Sequence, residues 1–141
     1  MDTHLLEFNV ARNELSQLVE KIRGLGFKEE CGQKVMMDEK NALLAHFMRL
    51  NRDYCPRLVE SSKFNVTLHQ TMKIFWADMQ ILTDELHQFF VFYPEIEHSI
   101  EFSQAVGGLY ARLAHCVGKQ KMIAEMFVSA FESPLYLAKS G

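Results

Sequence analysis

The 141 residues contain no apolar run longer than Phe89-Phe90-Val91-Phe92-Tyr93, far short of the roughly 20 residues that cross a bilayer. The first residues include Asp2, His4 and Glu7 and lack the basic and apolar regions of a signal peptide, so the expected compartment is the cytoplasm. Basic residues are not in excess: 15 Lys and Arg stand against 18 Asp and Glu, for a net charge of −3. A nucleic-acid-binding domain would concentrate positive charge, and none is expected as a partner. Three cysteines, Cys31, Cys55 and Cys116, form no C-x-x-C pair, which argues against a zinc knuckle or a disulfide framework and for free thiols. Glycine is absent between Gly32 and Gly107, so the commonest helix stop is missing from the middle of the chain. No glycine-rich phosphate loop, nucleophile elbow or paired-carboxylate arrangement is visible. The expectation is a non-enzyme with no cofactor.

What is present is enough apolar material, 48% of residues against 23% charged, to build the core of a single domain over residues 1–141. Its strongest pattern runs through Leu68, Met72, Phe75, Met79, Leu82, Leu86, Phe89 and Tyr93, alternating four and three. This spacing keeps one stripe of a helix against a partner helix. Ile74, Trp76, Ile81, Phe90 and Val91 widen the stripe, so the helix is expected to face more than one neighbour. The same phase, extended backwards, passes through Asn65, Ser61, Leu58, Tyr54, Asn51, Phe47, Leu44, Lys40 and Met37. One helix from about Asp38 to Tyr93, kinked at Pro56, is the expectation, with two separate helices as the alternative.

A second seam, Phe8, Ala11, Leu15, Leu18, Ile22 and Leu25, predicts an N-terminal helix within residues 1–25, capped by Asp2 or Thr3 and stopped by Gly24 and Gly26. Residues 27–37 are read as an irregular linker. Pro94 ends the long element. A last helix, near 99–132, carries Phe102, Val106, Leu109, Leu113, Cys116, Gln120, Ile123, Phe127 and Ala130. Gln120 is either a buried register device or a sign that the helix turns it outward. Gly107-Gly108 is read as a site of close helix approach. Ser133-Pro134-Leu135 reads as a kink or a new helical turn. The fold class is all-α, a long-helix antiparallel bundle or coiled coil.

Leu50-Asn51-Arg52-Asp53-Tyr54 and Leu58-Val59-Glu60-Ser61-Ser62-Lys63-Phe64 resemble the first long helix of BAR domains, especially those that precede a lipid-binding PH module. Phe102-Ser103, Leu109, His115, Ile123, Phe127 and Phe131, leading into Ser133-Pro134-Leu135, resemble the start of the second BAR helix. The similarity covers residues 38–138. It implies a crescent-shaped antiparallel dimer that binds or senses curved membranes in trafficking, peripherally and through a basic face. Arg49, Arg52 and Lys63 are the candidates for that face, within about 60° of each other on an unbroken helix. The alternative is a soluble helical adaptor that holds a protein partner in an apolar groove. An antiparallel homodimer centred on the seam from Phe75 to Phe89 is expected if the long helix is unbroken; if the chain folds back at Pro56 that demand lapses, and the adaptor needs only its protein partner.

Other constellations are weaker. Asp84-x-x-His87 and Glu95-x-x-His98 have the spacing of helical di-metal sites, but Pro94 lies between them and they read as polar residues at a helix end. His69 with Lys73 lacks the residues that accompany a phosphotransfer histidine. His115 and Cys116 are adjacent and so point roughly 100° apart on a helix, and Cys116 reads as a core residue.

Overall fold

Glycine, asparagine and serine set the helix boundaries. In the computed structural model, which describes residues 3–132, α1 spans Thr3–Leu25. Gly26 follows at φ 90°, a left-handed conformation that a residue without Cβ adopts freely. The proposed cap Asp2 and the Ser133-Pro134-Leu135 segment lie outside the described residues. The stretch expected to be an irregular linker is instead mostly helical, with α2 at Glu30–Asp38. Gly32 lies within α2, and a Cβ there would stand 2.1 Å from the Gly26 carbonyl oxygen. The glycine lets the helix touch the turn before it, a tertiary reason that outweighs its poor helix propensity.

The single helix expected from Asp38 to Tyr93 is not formed. α3 (Lys40–Arg49), a π turn (Leu50–Tyr54) and α4 (Cys55–Ser61) make one irregular rod. The chain then turns, and α5 spans Val66–Phe92. The break comes at the turn and not at Pro56. There the Asn65 side chain accepts the Leu68 N–H at 3.0 Å, while the Ser62 hydroxyl donates to the Val59 carbonyl at 2.7 Å. His69 Nδ1 lies 3.0 Å from Ser62 Oγ and 3.1 Å from the same carbonyl. Ser61 and Asn65 fall in phase with the seam, so periodicity carries the stripe across a turn that side-chain capping builds.

Pro56 is accommodated by the π turn just before it. Cys55 N–H reaches back five residues to the Leu50 carbonyl, a wider step than the α ladder takes, and proline could not continue that ladder. The inward stripe of the rod, Leu43, Phe47, Leu50, Cys55 and Leu58, is buried throughout. Its step from 50 to 55 is one residue longer than a helix would use, which is why the seam extended from α5 misses Cys55 and Leu50.

Ser99 caps α6 (Ile100–Phe131) by accepting the Phe102 N–H at 3.1 Å. α1 packs on α2 and α6, and α5 packs on α6 and on α3 with α4. The members therefore form a closed ring of four: α1, the α2 to α4 stretch, α5 and α6. Neighbours run antiparallel, as the pairs Asp78 with Lys119 and Glu85 with Arg112 show for α5 and α6. All regular structure among the described residues is helical. Phe8 of α1, Phe47 of α3, and Phe102 and Phe127 of α6 are fully buried. Gly107 answers to a side chain and not to a helix backbone: its absent Cβ would stand 3.2 Å from the Phe27 ring, which stacks on Tyr110 at 4.9 Å.

Candidate interaction surface

Leu68, Met72, Phe75, Met79, Leu82, Leu86 and Phe89 are all buried inside one chain. The seam expected at the centre of a dimer is the core of the monomer, because the turn at 62–65 folds α4 back onto α5. Gln120 is completely buried, and its Oε1 has no hydrogen-bond partner. Its Nε2 lies 3.4 Å from His46 Nε2, so the two polar groups meet across the diagonal of the ring. Burial, aided by the charge of Arg49, holds His46 down to a pKa of about 4, and the imidazole is neutral at pH 7. The sequence flags Gln120 by its place in the seam; His46 escapes notice because the π turn shifts the phase of its helix.

The three basic candidates each have acidic neighbours. Arg49 borders a groove whose rim also holds Glu14 and Glu39, Arg52 pairs with Asp53 at 3.3 Å, and Lys63 pairs with Glu60 at 2.8 Å. All three are exposed. Their alignment on a wheel assumed an unbroken α-helix. The π turn lies between Arg49 and α4, and Lys63 stands in the turn beyond it.

Among the described residues the outer sides of α5 and α6 carry exposed apolar positions at regular spacing. On α5 the exposed residues Gln70, Ile74, Ala77, Ile81, Asp84, Gln88 and Val91 alternate four and three, a second seam on the side opposite the core. Ile74 is 64% exposed and Ile81 58%. Sequence reasoning used Ile74 and Ile81 to widen the buried stripe; their spacing from each other, one full heptad, was the signal for a separate one. On α6 the exposed side carries Gln104, Ala111, Gly118 and Met122, and an added Cβ at Gly118 would touch nothing within 4 Å.

Between the helices, Lys119 Nζ binds Asp78 at 3.0 Å and Arg112 Nε binds Glu85 at 2.9 Å. These pairs flank a groove of about 140 Å³ lined in part by Ile81, Leu82, His115 and Cys116. At its floor Cys116 Sγ lies 3.4 Å from Met79 Sδ. Burial raises the Cys116 thiol to about 12, so it is protonated and inert at neutral pH. His115 is exposed while Cys116 is not, and the two do not make a nucleophile and base. Asp84 and His87 are likewise exposed, and no group of three or more metal-ligating side chains converges among the described residues. No described helix is long and apolar enough to cross a membrane.

Comparison with known proteins returns no matching family model, curated protein or solved structure.

Proposed function

We propose that the chain is a non-enzymatic helical-bundle adaptor whose outer α5–α6 face docks a helix of a protein partner. The observation that carries this reading is the exposed seam on α5, Ile74, Ala77 and Ile81 with flanking polar positions, on a helix whose core demand is already met by the opposite side. Surface apolar residues scattered singly need no explanation, but a stripe at heptad spacing is the pattern with which helices bind helices. The charges beside it are paired within the chain, so docking an apolar helix there strips water from few unpaired ions.

The membrane-binding dimer draws on one long helix and a clustered basic face. Four ring members of comparable length, and acidic residues beside each of the three basic ones, favour the adaptor.

A photo-cross-linking residue placed at Ile81, and separately at Lys21 on the exposed side of α1, tests the reading in living cells. Position 81 is expected to yield a discrete product in which the captured segment has apolar residues three and four apart. Position 21 is expected to yield none. No product from 81, or the same products from both, would overturn the proposal.

A further inference from the structure

We infer that the occupant of the α5–α6 face is a second copy of this chain, docked about a two-fold axis that passes level with Met79. This inference rests on the docking role assigned to that face. It stands on three features of the surface.

The first is symmetry. An isologous interface must be complementary to itself. The middle and ends of the exposed α5 stripe have this property, because Ala77 and Ile81 lie equally far on either side of residue 79, as do Gln70 and Gln88, while Ile74 falls level with Asp84 of the other copy. In an antiparallel pair the Ile81 knob of one copy meets the small Ala77 of the other, twice, and the two glutamines at the ends meet each other. The ion pairs 78 with 119 and 85 with 112 step by seven residues in opposite directions, so Gly118 stands level with residue 79. The exposed side of α6 thus lacks a side chain at the level of the axis, where the two copies come closest.

The second is charge. Each copy carries a net −3, so a face on which two copies meet cannot carry that excess. Asp78 and Glu85 are already matched by Lys119 and Arg112. Lys73 and Asp84 are exposed on the side of the stripe away from α6, of opposite sign, and about 9 and 7.5 Å from the axis along the helix at 1.5 Å per residue. The two-fold brings the partner's Lys73 beside Asp84, and the reverse, so one complementary pair forms twice.

The third is area. Two adjacent helices ~40 Å long with axes ~10 Å apart offer a face of ~800 Å² per copy, which is what a standard interface buries on each side. A single helix edge would fall short.

The test is sedimentation and light scattering at tens of micromolar, on the full chain. The native protein is expected to be a dimer, and Ile81→Glu a monomer with an unchanged helical circular-dichroism spectrum, since Ile81 is 58% exposed and outside the core. Lys73→Glu is expected to raise the dimer dissociation constant on the order of tenfold, one exposed pair being lost twice. Adding Asp84→Lys to Lys73→Glu is expected to restore it. A residue with a merely structural role would show no such rescue. A monomeric native chain would overturn the inference, as would a dimer indifferent to Ile81→Glu or a charge swap that fails to restore association. If the native chain is monomeric while the cross-linker at position 81 captures a protein of different mass, the docking role stands and the second copy does not. If neither product nor dimer is found, both fail.

Discussion

His46 shows how much one residue's chemistry depends on a neighbour far away in sequence. It is 5% exposed and meets Gln120, so folding favours its neutral form and depresses its pKa from 6.5 to about 4. The stabilisation is fully present above pH 6.5 and is lost as pH falls through 4, amounting to about 3 kcal/mol at 1.36 kcal/mol per unit. Urea titrations between pH 7 and pH 4 are expected to show that loss on top of the carboxylate contributions, and His46→Gln to lack it. The thiols divide in the same way. Cys31 is exposed, while Cys55 and Cys116 are buried with raised pKa values. An aromatic disulfide reagent is expected to modify one thiol in the native protein and three in denaturant. Of these residues the sequence revealed Cys116 as core and Gln120 as the odd member of a seam. It did not reveal His46, because the π turn displaces the inward phase of α3 from the seam extended backwards out of α5.

Among the elements, α1, α5 and α6 were legible because each carries a long apolar repeat ended by glycine, proline or a capping side chain. The α2 to α4 stretch was not. Gly32 looks like a helix breaker until the Gly26 carbonyl beside it is seen, and the π turn moves the inward stripe by one residue between Leu50 and Cys55. The turn at 62–65 was hidden by residues that kept the phase, although Asn65 before Val66 is an ordinary N-cap signal. Asn65→Ala is expected to cost about 1 kcal/mol by losing its bond to the Leu68 N–H, measured as a shift in denaturation midpoint. Gly32→Ala is expected to cost more, since its Cβ would meet a backbone carbonyl and not a side chain that can move aside.

At the scale of the whole molecule, the ring of four members explains why one stripe of α5 is buried and the opposite one exposed. Phe75 touches Phe8 of α1 edge to face at 6.1 Å, across the diagonal opposite to that of His46 and Gln120. Phe75→Ala and Leu82→Ala are each expected to cost about 2 to 5 kcal/mol, because the surrounding helices cannot all collapse into the space left. Arg52→Ala, which removes an exposed pair with Asp53, is expected to change stability by no more than a few tenths of a kcal/mol. Thermal or chemical denaturation checks all three. The all-α class follows from the repeats alone. The closing of the ring within one chain depends on where α4 ends, which short side chains decide.

The π turn has a consequence for how this chain tolerates changes in length. It holds one residue more than an α-helix of the same rise and phase, so the rod already contains what amounts to an insertion, absorbed without rotating Leu58 out of the core. Deleting Arg52, which is exposed, would reduce the step from Leu50 to Cys55 to the four residues of an ordinary turn. Pro56 would then have to enter an α ladder it cannot complete. The deletion alone is therefore expected to lower stability, and the deletion combined with Pro56→Ala to recover most of the loss, leaving a shorter and straighter rod on the same inward stripe.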